Sequence, residues 1–220
     1  MFEYDDIRRF YEENPDEHVM FRGEEVVKRA ISSGVFFLAL DTDKDSTNRI
    51  FGASAVYDVP CQDDKGGSLL LKEAGGSLVA PSYRGFGIHK VFHHLRMLHE
   101  QVLDKNGCDA HFGAIICPNK ESESNILKAG FEPWHEVPAA LVNERAPFAK
   151  EGQEIRFFKF NKDNIVQQAA LLLKAEYRGN VSRDYNGSNE AVPLVLDVEL
   201  LKHYRPVIEQ LARGDLSALR

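Results

Sequence analysis

One segment holds residue types and spacing suited to chemistry: Leu78-Val79-Ala80-Pro81-Ser82-Tyr83-Arg84-Gly85-Phe86-Gly87-Ile88-His89. An extended run stops at Pro81, a basic turn with two glycines follows, and a helical apolar stripe starts at once. Backbone N–H groups of such a turn, and those of the first helical turn, converge on one point, and the helix dipole adds partial positive charge there. Gly85 and Gly87 let a ligand approach without a Cβ in the way, and Arg84 adds a charge-assisted donor. The chemistry is therefore anion binding. Two nucleotide loops are excluded by the residues themselves. A Walker A loop ends in Gly-Lys-Ser/Thr, whereas Ile88 and His89 follow Gly87; a dinucleotide fingerprint needs a third glycine where Lys90 stands.

Other residues weigh less. His89, His93, His94 and His99 crowd the helix that follows. His89 and His93 are four apart and could share a metal, but no third ligand lies at a sensible spacing, so the expectation is helix-surface histidines and no metal. His89, in the first turn, could still reach a phosphate. The cysteines Cys61, Cys108 and Cys117 form no C-x-x-C, and an odd number without framework spacing fits a reducing compartment. Cys117 reads as a buried core residue.

The elements that position the segment follow from periodicity. Helices are predicted over 7–13 and 24–32, strands over 35–40 and 50–59, and a polar loop over 60–67. Two extended runs, 68–73 and 76–80, are separated by Gly75-Gly76, a turn or a bulge. Ile88, Val91, Phe92, Leu95, Leu98 and Val102 form a helical stripe. A continuous apolar strand covers 110–117, and a helix covers 121–129 with Gly130 at its C-terminal cap. Strands at 131–137 and 154–160 flank a proline-containing excursion. Helices at 165–177 and 200–211, joined by a polar loop with Asn186-Gly187, end the chain. The fold class is α/β (α+β), a mixed sheet with a strand–helix–strand unit at its centre.

Two motifs together resemble the GNAT (GCN5-related N-acetyltransferase) superfamily. Val79-Ala80-Pro81 matches the family's strand end, and Gly85 and Gly87 match the small positions of its pyrophosphate loop, Gln/Arg-x-x-Gly-x-Gly/Ala, with Ser82 departing at the leading position. The later motif, an Asn at a strand end, then a helix, then Gly-Phe, is matched by Asn119, Ser124 to Ala129 and Gly130-Phe131. The resemblance covers roughly residues 20–160. It implies a mostly antiparallel mixed sheet of about six to seven strands whose fourth and fifth strands splay apart. Residues 1–161 would form an acyl-CoA-binding domain, and 162–220 a helical extension packed on it or at a dimer interface.

The resemblance also implies the site. Backbone of Leu78, Val79 and Ala80 would run along pantetheine; Arg84, Gly85, Phe86, Gly87, Ile88 and His89 would hold the pyrophosphate; Asn119 would touch pantetheine or the adenosine side. Ser122 or Ser124 would approach the sulfur. The reaction implied is direct attack of an amine on acetyl-CoA, a co-substrate, with no metal. Glu73 takes the place of the family's glutamate base, and its apolar and glycine neighbours would desolvate it and raise its pKa. The family's tyrosine acid falls on Ile126, which leaves Ser124 as a weak substitute, unassisted departure of the thiolate, or a protein that does not acetylate. The alternative to an enzyme is an acyl-CoA-binding module of the same fold. A longer acyl group is a third reading, permitted by Ala80 and Ala114. The excursion 136–152 resembles the one that shapes acceptor sites in the family. From the residues themselves, Trp134 and His135 could line an acceptor pocket, with core packing an equal reading for Trp134, and Asp58, Asp63, Asp64 and Glu73 would suit an amine or form a solvated acidic loop.

The chain of 220 residues carries a formal net charge of -7 and no dense Lys/Arg run. That argues against nucleic acid as the main ligand and favours a small-molecule or protein amine as acceptor. No apolar run approaches a membrane span and the acidic N-terminus lacks a signal-peptide layout, so the expected location is cytoplasmic, with no membrane partner and a homodimer possible.

Overall fold

The computed structural model describes residues 3–41, 50–85, 87–103, 107–176, 181–185, 188–192 and 198–218. Two amphipathic helices, α1 (Tyr4–Glu13) and α2 (Glu24–Ser32), precede three strands, β1 (Phe36–Leu40), β2 (Ile50–Gln62) and β3 (Ser68–Val79). Helix α3 (Ile88–Leu103), strand β4 (Ala110–Cys117), helix α4 (Lys120–Lys128), strand β5 (Phe131–Pro133), helix α5 (Ala139–Arg145) and strand β6 (Glu154–Phe160) follow. Helix α6 (Ile165–Glu176), a hairpin of β7 (Val181–Tyr185) and β8 (Ser188–Val192), and helix α7 (Val198–Ala212) complete the order.

The main sheet has the order β1-β2-β3-β4-β6-β5, antiparallel throughout except for the β3–β4 pair. Three strands, not four, precede α3, because 68–73 and 76–80 are one strand with a bulge. Ala53 pairs with Leu78 and Ala55 with Gly75, so Ser54 alone faces Gly76 and Ser77. Gly76 takes φ 60°, and a Cβ there would lie 2.6 Å from the Tyr57 hydroxyl, so glycine is required twice over.

The parallel pairing between β3 and β4 covers only Leu71–Glu73 against Ala110–Phe112. Beyond it, residues 74–79 and 113–117 diverge, and β4 turns its other edge to β6 as far as Cys117. This splay creates the cleft described below. Ile126 of α4 leans on β4 at Gly113, where a Cβ would come within 2.5 Å of its Cδ1.

Helix α3 is covered on both sides. The sheet packs on one face, while Ile165, Ala169 and Leu172 of α6 join the same buried cluster from the other, with Ile208 and Leu211 of α7 behind them. The expectation of surface histidines therefore fails for His93 and His94, both buried. His94 Nδ1 bonds Gln168 of α6. Two further expectations need correction. The strand at 131–137 stops at Pro133, since Pro138 opens α5 and the excursion is helical. The link between α6 and α7 is a hairpin; Asn186 and Gly187 themselves lie outside the described residues. Among the described residues no helix is long and apolar enough to cross a membrane.

Candidate active site

A cleft of about 440 Å³ runs from the splay to the start of α3, within the range of small-molecule sites. The turn after β3 forms its outer wall. Pro81–Tyr83 make a single 3₁₀ turn, with Tyr83 N–H donating to Ala80 and Arg84 N–H to Pro81. Gly85 and Gly87 then take φ 85° and 83°, a left-handed conformation that glycine adopts without strain. A Cβ on Gly87 would meet nothing within 4 Å. Among the described residues, the amides of Gly85, Gly87, Ile88 and His89 have no protein acceptor, whereas those of Lys90 and Val91 already bond back to Gly87. The open amides sit at the N-terminus of a 16-residue helix, which is the requirement for holding an anion.

Of the donor-site residues expected from sequence, Leu78, Val79, Arg84, Gly85, Gly87, Ile88, His89 and Asn119 all line this cleft. Phe86 lies outside the described residues. Ala80 does not line it: its N–H donates to Phe51 O of β2 at 2.8 Å. Arg84 is at the rim, but its guanidinium is engaged, Nε with Val79 O at 3.0 Å and Nη2 with Asp16 at 3.0 Å. Asn119 caps α4, accepting from Ser122 N–H at 3.0 Å.

The cleft continues inward as a cavity of about 70 Å³, lined by the bulge residues 73–77, by Gly113–Ile115 of β4, by His89 and His93 of α3, and by Asn119, Ser122 and Ile126. The segment between α1 and α2 roofs both spaces through His18 and Val19. Sequence reasoning assigned nothing to that segment, because no local pattern shows where it folds back.

Glu73 reaches the inner cavity and is buried. Its oxygens are held by two guanidiniums: Arg22 Nη2 lies 2.6 Å and 2.5 Å from Oε1 and Oε2, and Arg145 Nη2 lies 2.8 Å from Oε2. The expectation of a carboxylate among apolar neighbours is thus corrected. Those neighbours in sequence are not its neighbours in space: both carboxylate oxygens are taken up by guanidinium donors. Ser124 is also corrected. Successive helical residues turn about 100°, so two positions point nearly opposite ways. Ser124 lines a separate surface hollow with Pro118, Lys120 and Arg156, and Ser122 faces the cleft instead.

The floor carries an unusual cation. Arg96 is wholly buried, and among the described residues no carboxylate lies within ion-pair distance. Nη1 donates to Ser77 Oγ at 2.9 Å and to Gly75 O at 3.3 Å; Nη2 donates to His93 Nδ1 at 2.8 Å. Burial pushes the Arg96 guanidinium down to about 10. Burial, with the Arg96 and Arg84 charges, lowers the His89 imidazole to about 4, and burial with Arg96 holds His93 well below the ordinary histidine range. Both imidazoles are neutral at pH 7. Tyr11 donates to Gly76 O, which fixes the bulge from the α1 side. Cys117 is buried with its thiol bonded to Glu123 at 3.3 Å, and burial raises it to about 11. Asp63 and Asp64 are occupied by their own loop and by the Ala139 amide. Trp134 packs beside Phe112, ring centroids 5.9 Å apart.

No family model and no curated protein matches the sequence. Solved structures do match. The NatC complex bound to Gag peptide and CoA aligns with TM-score 0.52 at 13% identity, over 71% of this chain and 89% of that one. Naa20 of Chaetomium thermophilum in complex with a bisubstrate analogue aligns with TM-score 0.52 at 12% identity, over 76% and 87%. At such identities the likeness is one of fold, and the fold is that of the GNAT acetyltransferases.

Proposed function

We propose that this chain is a CoA-dependent N-acyltransferase that moves a short acyl group, acetyl foremost, from acyl-CoA to an amine in a ternary complex. The observation that carries the reading is the row of open amides at Gly85, Gly87, Ile88 and His89, continuous with a cleft between splayed strands. A diphosphate fits the first feature and an extended thioester arm the second. Asn119 and the backbone of Leu78 and Val79 stand along the path of that arm. The inner cavity of about 70 Å³ supports a short acyl group; liquid water takes about 30 Å³ per molecule, so the space equals roughly two waters. The structural neighbours were solved with a peptide and with a bisubstrate analogue, which supports an amine acceptor and makes a peptide N-terminus the first to try.

In this reaction the neutral amine attacks the thioester carbonyl, the C–N bond forms, and the C–S bond breaks with its electron pair left on sulfur. One proton passes from nitrogen to the CoA thiolate, through water at the open mouth of the cleft. Glu73 holds Arg22 and Arg145, and with them the α1–α2 segment and α5, against the sheet. If it also serves as base, it must give up those bonds to do so.

Two measurements test the reading. Acetyl-CoA at one hundred times its Kd should stabilise the protein by about 2.7 kcal/mol, and Gly87→Val should remove most of that gain. Thiol release from acetyl-CoA should appear with an amine panel that includes short peptides. A protein that acetyl-CoA neither stabilises nor acylates amines with would refute the proposal.

A further inference from the structure

The position where the family resemblance would put a tyrosine acid is held by Ile126, which lines the inner cavity with no polar side-chain atom. Of the α4 residues lining that cavity, Ser122 carries a hydroxyl, which is a poor acid, and Ile126 carries none. A stronger donor exists on the floor. Guanidinium is always a donor and never an acceptor. The 2.8 Å bond from Arg96 Nη2 therefore makes His93 Nδ1 the acceptor and places the ring proton on Nε2. His93 lines the inner cavity, and among the described residues Nε2 has no protein partner. The same guanidinium holds the bulge through Gly75 O and Ser77 Oγ. One buried cation, without a carboxylate partner among the described residues, thus fixes both the strand backbone and the imidazole at the inner end of the cleft.

We propose that His93 Nε2–H is the hydrogen-bond donor to the sulfur of the acyl donor as the C–S bond breaks, and that Arg96 is its positioning residue. This rests on the acyl-CoA reading above. His93 does not transfer its proton; it stabilises the electron pair that remains on sulfur, and the amine's proton reaches the thiolate afterwards, so atoms and charge balance. Arg96 contributes in two ways. It fixes the tautomer, and it supplies positive potential in a site shielded from water, where such a charge acts strongly. The titratable and charged groups around His93 are His89, His94 and Arg96 on α3, Glu73 on β3 and His18 on the α1–α2 segment. Glu73 is neutralised by its own two arginines, so it does not cancel the Arg96 charge at the sulfur.

The test reads the thiol itself and needs no turnover. Free CoA is bound to the full chain, binding is confirmed by thermal stabilisation, and the bound thiol is titrated by its ultraviolet thiolate absorbance beside free CoA. One hydrogen bond to a charged acceptor should lower the thiol's titration by roughly one to two pH units. His93→Leu should return it to that of free CoA without loss of CoA binding, and His93→Gln, which keeps a donor, should retain part of the shift. Arg96→Gln can still donate to Nδ1 but lacks the charge, so the shift should shrink; a purely structural arginine would not move it. A bound thiol that titrates like free CoA in the unaltered protein, or an unchanged shift in His93→Leu, overturns the assignment and leaves the acyl-CoA reading standing. Absence of any CoA binding overturns both.

Discussion

Glu73→Ala is the substitution with the largest expected effect. The carboxylate is 1% exposed, and its partners Arg22 and Arg145 are 9% and 3% exposed, so solvent does not screen the pairs. Removing one member of a buried ion-pair group leaves charge without compensation, which destabilises by about 3–5 kcal/mol. Here two guanidiniums are left. Arg22 retains the Tyr57 and Phe148 rings at 5.9 Å and 5.3 Å, and Arg145 retains Glu144. Those contacts keep the loss within that range rather than doubling it. For a domain of this size each kcal/mol moves the midpoint roughly 2–4 °C, so the melting temperature should fall by roughly 6–20 °C. Calorimetry with urea melts at pH 7 measures it, and Glu73→Gln should fall between the two. The reasoning fails if Glu73→Ala melts within about 2 °C of the unaltered protein. It fails differently if Glu73→Gln keeps its stability yet loses thiol release by about a hundredfold or more, the size of a general-base effect. That outcome would make Glu73 the base after all.

Other perturbations have defined outcomes. Among the described residues the buried Tyr57 hydroxyl beside Gly76 has no partner, and such a group costs about 1–3 kcal/mol, so Tyr57→Phe should leave stability unchanged or raise it in urea melts. Gly76→Val would place a branched side chain at φ 60° against the Tyr57 and Tyr11 hydroxyls, and a soluble yield or midpoint equal to the unaltered protein would contradict the bulge geometry. The lowered histidines set the acid limit. His89 falls to about 4 against an ordinary 6.5, so the unfolded chain binds the extra proton, and stability present above pH 6.5 is lost as pH falls toward 4. Between pH 7 and 5.5 the loss from His89 is about 1 kcal/mol, and His93 acts in the same direction, so urea midpoints flat across that interval would show both rings to be solvated. Gly87→Val should remove most of the acetyl-CoA-induced rise in melting temperature while lowering the ligand-free midpoint by only roughly 2–8 °C, because its Cβ meets open space and the strain of a left-handed residue is about 1–2 kcal/mol.

The parts legible in the sequence are those whose cause is local. The strand end at Val79, the two glycines and the stripe from Ile88 predicted the strand–turn–helix junction without any tertiary information, and Gly130 marked the end of α4 through a backbone angle only glycine takes freely. Even Gly75-Gly76 announced an irregularity, although run breaks alone could not distinguish a bulge in one strand from a turn between two. What the sequence withheld was the company each polar residue keeps. Glu73 meets Arg22 from 51 positions upstream and Arg145 from 72 downstream. Its flanking leucines and glycines therefore misrepresent its surroundings, and the desolvated base they imply becomes an ion-paired anchor.

The histidines show the same effect in reverse. A helix bearing His89, His93, His94 and His99 reads as half polar, and half-polar helices face water. Helix α6, a segment outside the motifs, packs on that helix and covers His94, while His93 is buried at the inner cavity of the cleft. Once covered, the ring nitrogens must find partners inside the protein, and the two available to His94 and His93 are Gln168 and Arg96. The extension after residue 161 thus meets the histidine helix at His94, through Gln168, while His93 one position earlier turns to the inner cavity and to Arg96.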